Sequence, residues 1–222
     1  MTVIKEWIAL FESKDYRERE ALAEHLGKKR SQASFDLLVQ LLGDKESLVR
    51  SRALEALTER GISDGFKAAL PLLKDKNDVV RVNAIECIGA LGEGRAVKHL
   101  IGMLDDRSSL VRSYAAHFIG DYGNRSCIGI LENKLASDKS IYVRVGVLFG
   151  LYSLGREEKL TEILRLFKSR QYRVRCSVAN NLVGIVDKNN REIILEVLRN
   201  ASSVEETVAA RSSIEAAIKE IS

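Results

Sequence analysis

Apolar residues recur along this chain with two nested periods. The longer is marked by five Val-Arg pairs, Val49-Arg50, Val80-Arg81, Val111-Arg112, Val143-Arg144 and Val174-Arg175, spaced 31, 31, 32 and 31 residues apart. The shorter follows each arginine. Its third and seventh successors are apolar in every case: Ala53 and Leu57, Ala84 and Ile88, Ala115 and Ile119, Val147 and Leu151, Val178 and Leu182. Apolar offsets of 3, 4, 7 and 10 fall on one face of a helix with 3.6 residues per turn. Eleven residues after the arginine stands Gly61, Gly92, Gly123 or Gly155, with Val186 in the fifth unit. A glycine there suits the left-handed position that ends a helix. Before each pair lies a second amphipathic stretch: 35–42, 66–73, 96–104, 128–135 and 160–167. Each unit therefore predicts helix A, a short turn, helix B and a stop.

The turn carries its own mark. Six residues before the arginine stands Asp44, Asp75, Asp106 or Asp138, replaced by Ser169 in the fifth unit. The pattern weakens at both ends. Residues 1–30 read as a degenerate first pair around Arg19, and 189–222 as a degenerate last pair around Arg211. End units of a stacked array must face water on one side, so they depart from the repeat. About seven helix pairs result, with five regular repeats over 31–188 and no linker, which predicts one domain over 1–222. The single proline among 222 residues fits an all-α chain and disfavours an all-β one.

A period near 31 residues with Asp-x5-Arg at the turn resembles the short HEAT-like repeats of the phycobilisome-lyase type. The resemblance covers residues 31–188 strongly and the ends weakly. It implies a right-handed α-α superhelix, a HEAT-like solenoid, with A helices on the convex side and B helices on the concave side. It says little about function, because solenoids of this kind serve as scaffolds, enzymes and nucleic-acid binders.

The Asp-Arg ladder allows two readings, a row of phosphate-binding arginines or a structural bridge between turns. Its repetition in step with the core positions favours the bridge. Specialisation is then expected on the outward face of the B helices. There Glu55, Glu59 and Glu86, with Glu24 at the same offset, form an acidic stripe beside Arg52. Further along, Tyr114, His117, Phe149 and Tyr152, with Asp121, place aromatic groups on a surface that should meet solvent. Grouped exposed aromatics are a common composition of binding hot spots. The leading expectation is a protein-protein interaction scaffold or adaptor, with assembly factor and immunity-type neutraliser included, that takes its partner on this face.

A basic stretch offers an alternative. From Arg156 to Arg175 seven cations face three carboxylates, an excess equal to the chain's net charge of +4. Lys168, Arg170, Tyr172 and Arg173 interleave charge with an aromatic, as a phosphate-binding surface does. A DNA glycosylase of HEAT-like type, using Tyr114, Phe149, Tyr152 and Asp121, and a lyase-like enzyme using Cys176 are the enzymatic rivals. No catalytic motif supports either, and whether the chain is an enzyme stays open. His25, His99 and His117 are followed by Leu26, Leu100 and Phe118, so the His-Glu dyads of HEAT-like iron hydroxylases are missing. Cys87, Cys127 and Cys176 form no C-x-x-C pair, which disfavours zinc and a disulfide framework. No metal or cofactor is expected. The early Glu6 interrupts any leader-like apolar run, and a reduced, cytoplasmic protein is the expectation.

Overall fold

The computed structural model describes residues 2–222, with side chains from Ile4 onward. Regular structure among them is entirely helical, as fourteen α-helices in seven consecutive pairs. They are α1 (Thr2–Phe11) with α2 (Tyr16–Gly27), α3 (Gln32–Leu41) with α4 (Ser47–Arg60), and α5 (Asp64–Ala69) with α6 (Asp78–Gly92). Then follow α7 (Val97–Met103) with α8 (Ser109–Tyr122), α9 (Ile128–Ser137) with α10 (Ile141–Ser153), α11 (Lys159–Arg165) with α12 (Tyr172–Leu182), and α13 (Arg191–Val204) with α14 (Val208–Ile221). The five Val-Arg pairs fall in the first turns of α4, α6, α8, α10 and α12. Both degenerate ends are helix pairs as expected. Packing divides the chain into two compact units, one ending at Phe118 and the other Ile119–Ser222.

In the first unit the ladder arginines are structural. Arg19 forks onto Asp44 (2.5 and 3.0 Å), Arg50 onto Asp75 (2.7 and 2.8 Å), and Arg81 onto Asp106 (2.9 and 2.7 Å). Each partner belongs to the following repeat. The third nitrogen of each guanidinium donates to a carbonyl of its own turn, at Ser13, Asp44 and Asp75. Each aspartate also accepts the amide two residues on, at Glu46, Asn77 and Ser108, all at 2.8 Å. Each aspartate holds the turn ahead of helix B and does not cap it: Glu46 and Asn77 occupy the cap positions of α4 and α6. Burial alone would raise these carboxyl groups, but the arginine and amide hydrogen bonds outweigh it and hold all three below the ordinary range.

The second unit departs from this pattern. With Ser169 at the aspartate position, Arg144 pairs with Glu162 at 2.8 Å and remains exposed. Arg175 reaches 30 residues ahead to Glu205 (2.5 and 2.7 Å), which follows the fourteen-residue α13. The Arg175 hydrogen bonds depress the Glu205 carboxyl to about 2. Arg211 in turn donates to the Glu205 carbonyl.

Glycines serve two purposes here. Gly61 and Gly155 take left-handed φ values of 66° and 93° and end α4 and α10, as expected. Gly92 and Gly123 do not. A Cβ on Gly92 would lie 2.4 Å from the Phe66 ring, and one on Gly123 would lie 2.3 Å from the Ile119 carbonyl oxygen. Close approach, and not backbone hand, requires glycine at those two positions.

Candidate partner-binding face

The acidic stripe of the first unit is built from the outward positions of α2, α4 and α6, with Tyr114 of α8 beyond it. Arg52 donates to Glu55 at 2.7 Å and lies 3.9 Å from Glu20. Asn83, one helix on, donates to the other Glu55 oxygen at 3.1 Å. Glu55 is thereby satisfied from two helices. Glu86 is not. It is half-buried, and among the described residues none donates a hydrogen bond or an ion pair to it. Burial and then the neighbouring Glu55 charge raise its carboxyl above the ordinary value. Tyr114 lies beyond it, its phenol raised by burial and then by the Glu86 charge.

The half-buried Tyr114 ring stacks on Phe118 at 6.4 Å and 15°, and the His117 ring lies 6.0 Å from Phe118. The structure thus links Arg52, Glu55, Glu86 and Tyr114 through contacts and charge, and sets His117 beside Phe118. It adds Glu20 and Asn83, which sequence reasoning did not place in the site. Glu20 occupies the first offset after Arg19 in the degenerate first repeat, so its register was the available signal. Glu24 and Glu59 are exposed, and Glu24 is bound to Lys28 at 2.8 Å.

In the second unit one expectation is overturned. Phe149 was placed on the solvent face, but it is 0% exposed and packs with Val145, Leu148, Val178 and Leu182. The cause is local. Every residue from Val145 to Leu151 is buried, so α10 has no solvent face over this length. Gly120 of α8 permits this close packing, since a Cβ built on it would lie 2.2 Å from the Gly150 Cα. Tyr152 is half-buried on the same core, and its hydroxyl accepts from Asn190 at 2.8 Å. Asp121 is exposed and accepts from Ser153 at 3.2 Å.

The basic stretch does not form a single surface of free cations. Glu205 neutralises Arg175. The Arg173 guanidinium lies over the Tyr172 ring at 5.9 Å and donates to its hydroxyl at 3.3 Å. Lys168 and Arg170 stand apart at a groove. Cys87 and Cys127 are buried and Cys176 half-buried, and burial pushes the Cys87 thiol up to about 11. Among the described residues no group of three or more His, Cys, Asp or Glu side chains is arranged to hold a metal ion. No helix among them is long and apolar enough to cross a membrane.

Repeat, ladder and paired helices together define a HEAT-like repeat protein, and sequence comparison agrees. The HEAT repeats model matches residues 4–75 and 66–133, more than half the chain, and the chain belongs to that family. No curated protein sequence matches it. Among solved structures, the complex of CpcE and CpcF of phycocyanin lyase from Nostoc sp. PCC7120 superposes with a TM-score of 0.68 at 17% identity, covering 99% of this chain and 94% of the other. The YibA protein of Escherichia coli superposes with a TM-score of 0.55 at 23% identity, covering 98% and 80%. At these identities the likeness is one of fold.

Proposed function

We propose that this protein is an interaction scaffold or adaptor whose B-helix face in the first unit receives a basic segment of a protein partner. Glu86 carries the reading. A half-buried carboxylate beside a second carboxylate costs stability at neutral pH, because its charged form is disfavoured by both burial and repulsion. A cation from a partner would relieve that cost, and Tyr114 beside it supplies an aromatic contact. Glu55 is held in place by Arg52 and Asn83, so the acceptor next to Glu86 is ordered before the partner arrives. The fold comparison is consistent with this reading, since HEAT-like solenoids commonly serve as protein-interaction scaffolds, and the CpcE and CpcF structure is itself a complex. Phe149 has no part in the site.

The test is capture from a lysate at low and high salt, with wild type beside Glu86→Gln and Tyr114→Ala. The expected result is a protein retained by wild type and lost by both variants. Glu86→Gln removes the unfavourable charge and keeps the shape, so it should raise the unfolding midpoint at neutral pH while weakening capture. Loss of binding with gain of stability cannot come from misfolding. Recovery of nucleic acid that is salt-sensitive and indifferent to both substitutions would refute the proposal and favour a phosphate-binding role.

A further inference from the structure

A groove of about 610 Å³ opens in the second unit, lined by residues of the α11 region, α13 and the turn after α13. Phe167, Val197, Ala201 and Val204 give it an apolar wall, and Lys168 and Arg170 stand at it. Val204 is 77% exposed, an unusual cost for a large aliphatic side chain on a helix end. The charge at the groove has a specific origin. In the first unit each ladder turn has an aspartate that accepts a guanidinium and an amide. At this turn Ser169 replaces it, between Lys168 and Arg170, so the flanking cations have lost their nearby carboxylate. Glu205 does not substitute for it. Both of its oxygens are held by Arg175, and its side chain is 4% exposed. Glu206 is the remaining carboxylate lining the groove. Among the described residues, Lys168 and Arg170 have no hydrogen-bonded or ion-paired partner.

We propose that this groove binds a short acidic segment of a partner protein, with an aliphatic or aromatic anchor seated on the Phe167–Val204 wall and carboxylates paired to Lys168 and Arg170. Apolar wall and unpaired cations together select for a ligand that is both anionic and apolar. A nucleic acid backbone would use the cations and leave Val204 and Val197 without a role. The volume lies within the range of small-ligand pockets, enough to seat the anchor side chain of a bound segment. The groove's residues all belong to the second unit, and its cations are opposite in charge to the acidic face of the first.

The experiment is fluorescence anisotropy of the full chain with a labelled peptide, Glu-Asp-Glu-Leu-Phe-Glu, beside its Gln-Asn-Gln-Leu-Phe-Gln counterpart. Saturable binding of the acidic peptide alone is expected. The double variant Lys168→Glu with Arg170→Glu should weaken it at least tenfold, and Val204→Asp at least fivefold. All three side chains are exposed, so unfolding midpoints should match wild type, while Glu86→Gln should leave the affinity unchanged. Affinity within twofold of wild type for either groove variant would overturn the proposal. So would equal binding of the uncharged peptide, or no saturation below about 1 mM. Displacement of the peptide by single-stranded DNA whose own binding survives Val204→Asp would also overturn it, in favour of a phosphate site.

Discussion

Replacing Arg50 with alanine separates a structural ladder from a ligand-binding one. The Arg50 and Asp75 side chains are 7% and 8% exposed. Arg50 makes two bonds to Asp75 at 2.7 and 2.8 Å, and donates to the carbonyls of Asp44 and Lys45 at 2.7 and 3.2 Å. Its removal leaves a buried carboxylate and two turn carbonyls without their donor. Breaking a buried pair from one side costs about 3–5 kcal/mol, chiefly from the stranded charge. Arg144 is the internal control. It holds the same repeat position but is 44% exposed, with one contact to Glu162. Losing an exposed pair of that kind costs about 0–1 kcal/mol. Urea unfolding followed by circular dichroism compares the two variants directly. Arg50→Met with Asp75→Leu should recover much of the loss, because no charge is left buried. The Asp75 carboxyl is depressed from 3.8 in the fold. Its contribution is therefore fully present above pH 3.8 and lost as pH falls through the folded value, so wild type and Arg50→Ala should converge in acid. If Arg50→Ala proves as mild as Arg144→Ala at neutral pH, the ladder is not what joins these turns.

Three further outcomes follow from the second unit. Phe149→Ala should cost about 3–5 kcal/mol in the same unfolding assay, as expected of a fully buried aromatic and not of a surface anchor. Gly120→Ala should cost about 1–3 kcal/mol or more, since its Cβ would meet Gly150 backbone atoms at 2.2 to 2.8 Å, and backbone cannot rotate away. Glu205 should contribute stability that is complete above pH 4.5 and lost between 4.5 and about 2, so an acid titration of Glu205→Gln should show a flatter decline there than wild type.

The site was less legible than the fold, and particular residues show why. Arg52, Glu55, Glu86 and Tyr114 were found because the repeat register assigns each residue to a helix face, and α4, α6 and α8 keep that register. Phe149 occupies the same offset as Glu55 and Glu86, yet it is buried. Register tells which side of its own helix a residue takes, and says nothing about what else arrives on that side. Glu20 was missed although its register was available, because what brings it to the site is the approach of Arg52 from α4, a tertiary contact that register does not encode. The groove at Lys168 was half visible: its cations, Phe167 and Ser169 stand together in the sequence, but the rest of its apolar wall comes from α13, some 30 residues away.

The sequence alone determined the helix pairs, their number and the family, because a 31-residue period with a 3.6-residue period inside it admits one local solution, repeated. Tertiary structure decided which aspartate each arginine meets, where the ladder breaks, and which outward positions are covered. Those depend on distances between residues about 25 to 30 apart in the chain. Glu205 illustrates it: the longer α13 carries the acid to the place where Arg175 needs one, and only packing shows that it arrives.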